Sequence, residues 1–306
     1  MVKILHISDS HGFALGMQDI VAFEKAYPVD MFVHTGDICQ DYFEQDITYA
    51  SPSNFALTLG NHDMILKQGI DLENGNHWEM QPTQQQAYDK FFKNYYAANG
   101  ITIQPGKTWW YRDLGNVRVL GLNSCTIGSA LTEQAAWLNS MLDECMREKK
   151  SVAVFSHYAD TRDVVYPCSF TCERYYSENG ITGTNDGTYG GVSMFFNTVQ
   201  SYYTRGLKVL GWFCGHEHAD AIVTSHGFPV VIIGSMIIDD YNDLYRAYTG
   251  HTVRTLANLY EIDEELGVLQ IFRIGGDCKY TGAGRRLMLS YDLNEERVVS
   301  QCSAYV

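Results

Sequence analysis

The chain has 306 residues, 45% hydrophobic and 19% charged, with a net charge of −14 at pH 7. No apolar run approaches the roughly 18 residues that would suggest a membrane span, and the negative charge with no basic patch argues against a nonspecific nucleic-acid binder. The first residues carry one positive charge and then enter a strand pattern, without the apolar segment and cleavage site of a secretory signal, so the expected compartment is the cytoplasm.

Val2 to Ser8 reads as a strand, Met17 to Ala26 as a helix and Met31 to Thr35 as a second strand, a βαβ opening. Phe55 to Leu59 alternates as a short buried strand. Met64 to Asn116 is aromatic-rich and is expected to rim the functional site; within it Thr83 to Ala97 predicts an amphipathic helix with its aromatics facing the core. A strand at Val117 to Leu122 follows. Then comes a helix from Thr132-Glu133 to about Lys149, with an apolar stripe of Leu131, Ala135, Leu138, Met141, Leu142 and Cys145, and then a strand at Ser151 to Ser156.

Tyr158 to Gly191 is loop-like and long enough to be functional or mobile. Val192 to Arg205 predicts a helix and Leu207 to Cys214 a strand. Ala221 to Ser225 and Val230 to Ile233 predict a hairpin around His226-Gly227, and Leu256 to Ile262 with Val268 to Ile274 a further strand pair. Beyond Gly275, the β-like pieces Arg286 to Tyr291 and Arg297 to Tyr305 have no evident place. A single domain over 1–306 is expected, with an aromatic insertion at about 64–116, a loop insertion at about 158–191 and a C-terminal extension at about 275–306. The eight cysteines are scattered; only Cys168 and Cys172 are close, their spacing is not that of a zinc knuckle, and they read as unpaired loop cysteines.

Five of the apolar runs end in residues that bind metals: Asp9-Ser10-His11, Gly36-Asp37, Gly60-Asn61-His62-Asp63, Ser156-His157 and Gly215-His216-Glu217-His218. Strand ends are where loops build active sites. If extended geometry persists, Asp9 and His11 face one side, as do His216 and His218. Together with Asp37, Asn61 and His157 they form a mixed nitrogen and oxygen set without thiolates, which suits Zn, Fe or Mn. That is too many ligands for one ion. It fits two ions about 3.5–4 Å apart sharing a carboxylate, an arrangement that clamps the attacking and leaving oxygens of a phosphoryl displacement. With 27 Gly and 10 His, chance produces Gly-His-x-His only about 0.03 times in such a chain. His6 and His34 lie inside strands and read as satisfied core histidines, while His77, His226 and His251 carry no usable pattern.

These blocks, in this order from residue 9 to 218, resemble those of the calcineurin-like metallophosphoesterases, and the resemblance covers about the first 235 residues. It implies an α/β fold, a four-layer α-β-β-α sandwich of two mixed sheets flanked by helices. It implies Asp9, His11, Asp37 and His218 as ligands of one ion and Asp37, Asn61, His157 and His216 as ligands of the other, with Asp37 as the bridge. The cofactors would be two divalent or trivalent transition-metal ions, Mn, Fe or Zn. A hydroxide bridging them would attack a small-molecule phosphodiester or phosphomonoester, diesters being favoured, and His62 would protonate the leaving oxygen. Either Asp41 or Asp63 would orient His62.

The chain departs from the protein phosphatase branch, which has Gly-Asp-x-x-Asp-Arg-Gly and Gly-Asn-His-Glu: here Gly36-Asp37 continues as Ile38-Cys39-Gln40-Asp41-Tyr42, and residue 63 is Asp. Gln40 stands where the purple acid branch has its Tyr ligand. The remaining motifs are shared by phosphodiesterases and nucleases of the family. The other readings are such a nuclease and a catalytically silent binding module like the family's retromer subunit.

Overall fold

The computed structural model describes residues 1–11, 14–38, 54–64, 67–70, 77–80, 82–93, 100–126, 128–158, 190–216, 221–235, 256–275 and 285–301. Short apolar runs set its first strands. Val2–Ile7 (β1), Met31–His34 (β2) and Phe55–Leu57 (β3) pair in parallel, and the helix Ala14–Ala26 (α1) connects the first two. Lys67–Ile70 (β4) and His77–Met80 (β5) form a separate two-stranded ribbon. The helix Gln84–Phe91 (α2) begins at Thr83, whose hydroxyl accepts from Gln86 N while Gln86 Oε1 accepts from Thr83 N, so two first-turn donors are satisfied reciprocally. Ala87, Phe91 and Phe92 are buried on its inner face. The helix is shorter than the expected 83–97, and 94–99 lies outside the described residues.

Thr102–Ile103 (β6), Trp110–Leu114 (β7) and Val117–Gly121 (β8) follow. Next are the helix Gly128–Glu148 (α3), the strand Ser151–Phe155 (β9), the helix Gly190–Thr204 (α4) and the strands Val209–Cys214 (β10), Ala221–Val223 (β11) and Val230–Ile232 (β12). These strands make one mixed sheet in the order β11-β12-β10-β9-β8-β7-β6. Every residue of β9 and β10 is buried, as expected of parallel strands covered on both faces.

Leu256–Asp263 (β13), Val268–Gly275 (β14), Arg285–Asp292 (β15) and Arg297–Gln301 (β16) then return to the first sheet. Its order is β16-β15-β14-β13-β1-β2-β3, with β13 antiparallel to β1 and Leu5 opposite Leu259. The C-terminal pieces left without a place by sequence are thus an antiparallel continuation of the sheet that begins the chain. Of the loop insertion expected at about 158–191, residues 159–189, with Cys168 and Cys172, lie outside the described residues, and Gly190 and Gly191 already belong to α4.

The architecture is α/β, two mixed sheets flanked by helices. One apolar cluster runs through both sheets, and Phe213 lies 4.2 Å from Tyr260 and 4.9 Å from Phe155, ring centre to ring centre. His6 is a satisfied core histidine, 2.8 Å from the Tyr260 hydroxyl through Nδ1 and 2.8 Å from Thr35 Oγ1 through Nε2. Among the described residues no helix is long and apolar enough to cross a membrane.

Candidate metal centre

The carboxyl ends of β1, β2 and β3 in one sheet and of β8, β9 and β10 in the other meet at one place. Backbone bonds brace the loops of the first sheet against one another. Asp9 N donates to Gly36 O and His11 N to Asp37 O, both at 2.9 Å, while Asp63 Oδ2 accepts from Asp37 N at 2.7 Å and Gly60 N at 2.9 Å. A Cβ at Gly60 would collide with Asp37, so glycine is required where these two loops touch.

The loops of the second sheet are tied to the first. His157 Nδ1 lies 2.8 Å from Thr35 O, and His216 N donates to Asp9 Oδ2 at 2.9 Å. The ring of Tyr158 stands edge-on to His216 with centroids 4.5 Å apart.

Asp9 and His11 do turn toward one point, but not through the extended geometry expected of them. Asp9 has φ 52°, His11 43°, Asp37 58° and His216 71°. The cross-loop bonds turn the chain into left-handed conformations there, each costing about 1–3 kcal/mol. Of six described non-glycine residues with positive φ, these four are candidate ligands, so strain is concentrated at the site.

Donor atoms converge in two groups, Asp9 with His11 and Asp37, and Asp37 with His157 and His216; within each group they lie within 4.8 Å of one another. Asp37 belongs to both. Its Oδ2 is 3.8 Å from His11 Nε2, 3.9 Å from His62 Nε2 and 3.5 Å from His157 Nε2. His157 Nε2 also faces Asn61 Oδ1 at 2.9 Å and His216 Nδ1 at 3.2 Å.

So many lone pairs around one point repel unless a positive charge sits among them, either a proton or a cation. The same demand appears in the titration of the metal-free groups. Burial opposes a charged imidazole at His157, yet the charge of Asp37 and its hydrogen bond raise the pKa to about 9. Burial likewise works against ionised Asp37, but His157 holds its carboxyl well below the usual range. Burial, and then the charge of Asp37, push Asp63 up to about 7. The donor set, imidazole nitrogens with carboxylate and amide oxygens, fits transition-metal ions.

Asp9, Asp37 and His157 are buried, and His11 and Asn61 partly so. The His62 side chain is 47% exposed, reachable from solvent, while its backbone N–H donates to Asp37 Oδ1 at 2.8 Å. Asp63, one of the two acids expected to orient His62, accepts two backbone amides at Oδ2. Asp41, Glu217 and His218 lie outside the described residues.

Sequence reasoning missed the contribution of β8. Ser124 Oγ accepts from Tyr158 N at 2.9 Å, and Asn123 Nδ2 donates to Thr108 Oγ1 at 2.8 Å. The signal was available, because Asn123-Ser124 follows an apolar run just as the other site loops do.

A family model for calcineurin-like phosphoesterases matches residues 2–220. The chain belongs to this family. No curated protein matches it in sequence. A crystal structure described as a dimetal phosphatase from Danio rerio is similar with TM-score 0.56 at 13% identity, covering 90% of this chain and 96% of that one. A Thermus thermophilus protein has TM-score 0.43 at 10% identity, covering 97% and 96%. An archaeal phosphodiesterase has 0.40 at 10%, covering 90% and 99%. The Danio rerio likeness concerns the fold. In this calcineurin-like phosphoesterase the matched segment ends before β13, so four strands of the first sheet lie beyond it.

Proposed function

We propose that the chain is a phosphoesterase dependent on two transition-metal ions, Mn, Fe or Zn, hydrolysing small phosphodiesters in preference to monoesters. The observation that carries this reading is Asp37, one carboxylate common to two donor groups. Asp9, His11 and Asp37, joined by His218, would hold one ion; Asp37, Asn61, His157 and His216 would hold the other. When bound, the ions supply an activated water and neutralise charge on the phosphoryl oxygens. Asn61 contributes a neutral oxygen that keeps the ligand charge low. His62, exposed at the rim, donates its proton from Nε2 to the departing oxygen. Asp63 keeps the loops of Asp37 and Gly60 together, and either Asp63 or Asp41 orients His62. A diester carries one negative charge fewer than a monoester dianion, which favours diesters in a protein of net charge −14. The apolar cluster shared by both sheets supports treating 1–306 as one catalytic unit.

The test combines metal content with leaving-group dependence. Reconstitution with Mn²⁺ should yield two ions per chain, and at most one would sink the reading. Bis-p-nitrophenyl phosphate should be cleaved with higher kcat/KM than p-nitrophenyl phosphate. His62→Ala should change these activated esters little but slow alkyl esters about 10²-fold or more, because an alkoxide cannot leave without a proton. Metal content should stay unchanged. A loss independent of the leaving group would remove His62 from the role of acid.

A further inference from the structure

His34 closes β2, is fully buried and makes no contact with solvent. Gly36 N donates to its Nδ1 at 3.1 Å, and its Nε2 lies 3.1 Å from Ser10 Oγ. Because Nδ1 accepts, the ring proton sits on Nε2 and is donated to Ser10. Burial lowers the His34 pKa to about 3, despite the nearby charges of Asp9 and Asp37, in keeping with a neutral ring.

The two partners occupy telling positions. Ser10 lies between Asp9 and His11, both left-handed, and Gly36, with φ 102°, immediately precedes Asp37. A rigid ring therefore spans from the loop carrying two donors of one group to the loop carrying the donor common to both.

We propose that His34 is a positioning residue that sets the separation of Asp9 and His11 from Asp37, and thereby tunes the affinity of the Asp9–His11–Asp37 group selectively. The inference rests on the two-ion reading above. His157 is held instead by Thr35 O, a tie outside the contact between His34 and Ser10, and its ring stays within reach of Asp37 and Asn61 without it.

Mn²⁺ titration calorimetry on the whole chain tests this, with His11→Ala and His157→Ala used to assign the two binding steps. His34→Asn keeps an acceptor for Gly36 N but cannot reach Ser10, and Ser10→Ala removes the same contact from the other end. Each should weaken the step assigned by His11→Ala about 10-fold or more, within the range for outer partners of metal ligands, and leave the other step within about twofold. The double variant should be no weaker than the worse single. Circular dichroism and melting temperature report whether each variant folds, so Ser10→Ala can carry the test if His34→Asn does not fold. Two ions in the wild type with equal weakening of both steps, or with a lowered melting temperature and unchanged affinities, overturns the inference alone. Fewer than two ions in the wild type overturns the metal reading and this inference with it.

Discussion

The two sheets supply the candidate centre in different ways. The loops after β1, β2 and β3 contribute the carboxylates and hold one another through backbone bonds, with Asp63 accepting two amides. The loops after β9 and β10 contribute imidazoles and take their orientation from the first sheet, through Thr35 O and Asp9 Oδ2. The first side is braced at more points, while the second, joined within itself by Gly215 N donating to His157 O at 3.0 Å, is anchored on the first. Loss of Asp37 or of the Asp63 brace should therefore spread to both binding steps, whereas damage to the second side should stay local.

The largest expected effect follows from Asp37. Asp37→Asn should reduce Mn²⁺ affinity at both steps by more than about 10²-fold, beyond the usual effect of an outer partner, whereas His157→Ala should act on one. Calorimetry showing equal effects from the two variants would break the comparison. Asp63→Ala should come next. It leaves two buried amides without an acceptor, at about 1–3 kcal/mol each in denaturant unfolding, and should loosen both binding steps. A stability within about 0.5 kcal/mol of the wild type would show that the braced loops do not depend on it.

Much of this was legible because the strands that end at the site are largely apolar, so Asp9, Asp37, Asn61, His157 and His216 each stood out just after such a run. Their backbone was not legible. Left-handed φ at Asp9 and His11 arises from bonds to Gly36 O and Asp37 O, residues that become neighbours only when β1 and β2 pair. The pieces at β15 and β16 could be read as strands but not placed, since nothing within them encodes that β15 pairs with β14 and carries β16 on its other side.

Gln134 was hidden for another reason. It is a polar residue beside the apolar stripe of α3, yet it is fully buried, accepting from Asn123 N and donating to Asn123 O at 2.8 Å, as another strand would. It offers the smallest test of the comparison. Gln134→Ala should lower stability by about 1–3 kcal/mol by orphaning the Asn123 amide, while both Mn²⁺ affinities remain near wild type, because the β8 loop carries no candidate ligand. A metal affinity that falls in step with stability would show that the second sheet also shapes the centre.

The pairing of β1 with β13 has a consequence in time. His6 bonds to Tyr260 across 254 residues of chain. At a synthesis rate of about 5–20 residues per second, roughly 10–50 s pass between the emergence of the two. During that interval the nascent β1 has an open edge of unpaired amides and carbonyls, the kind of surface that recruits another strand. The strand leading to Asp9 is thus made well before it is secured, and a ribosome halted before residue 256 releases a chain whose candidate-ligand loops rest on an unfinished sheet.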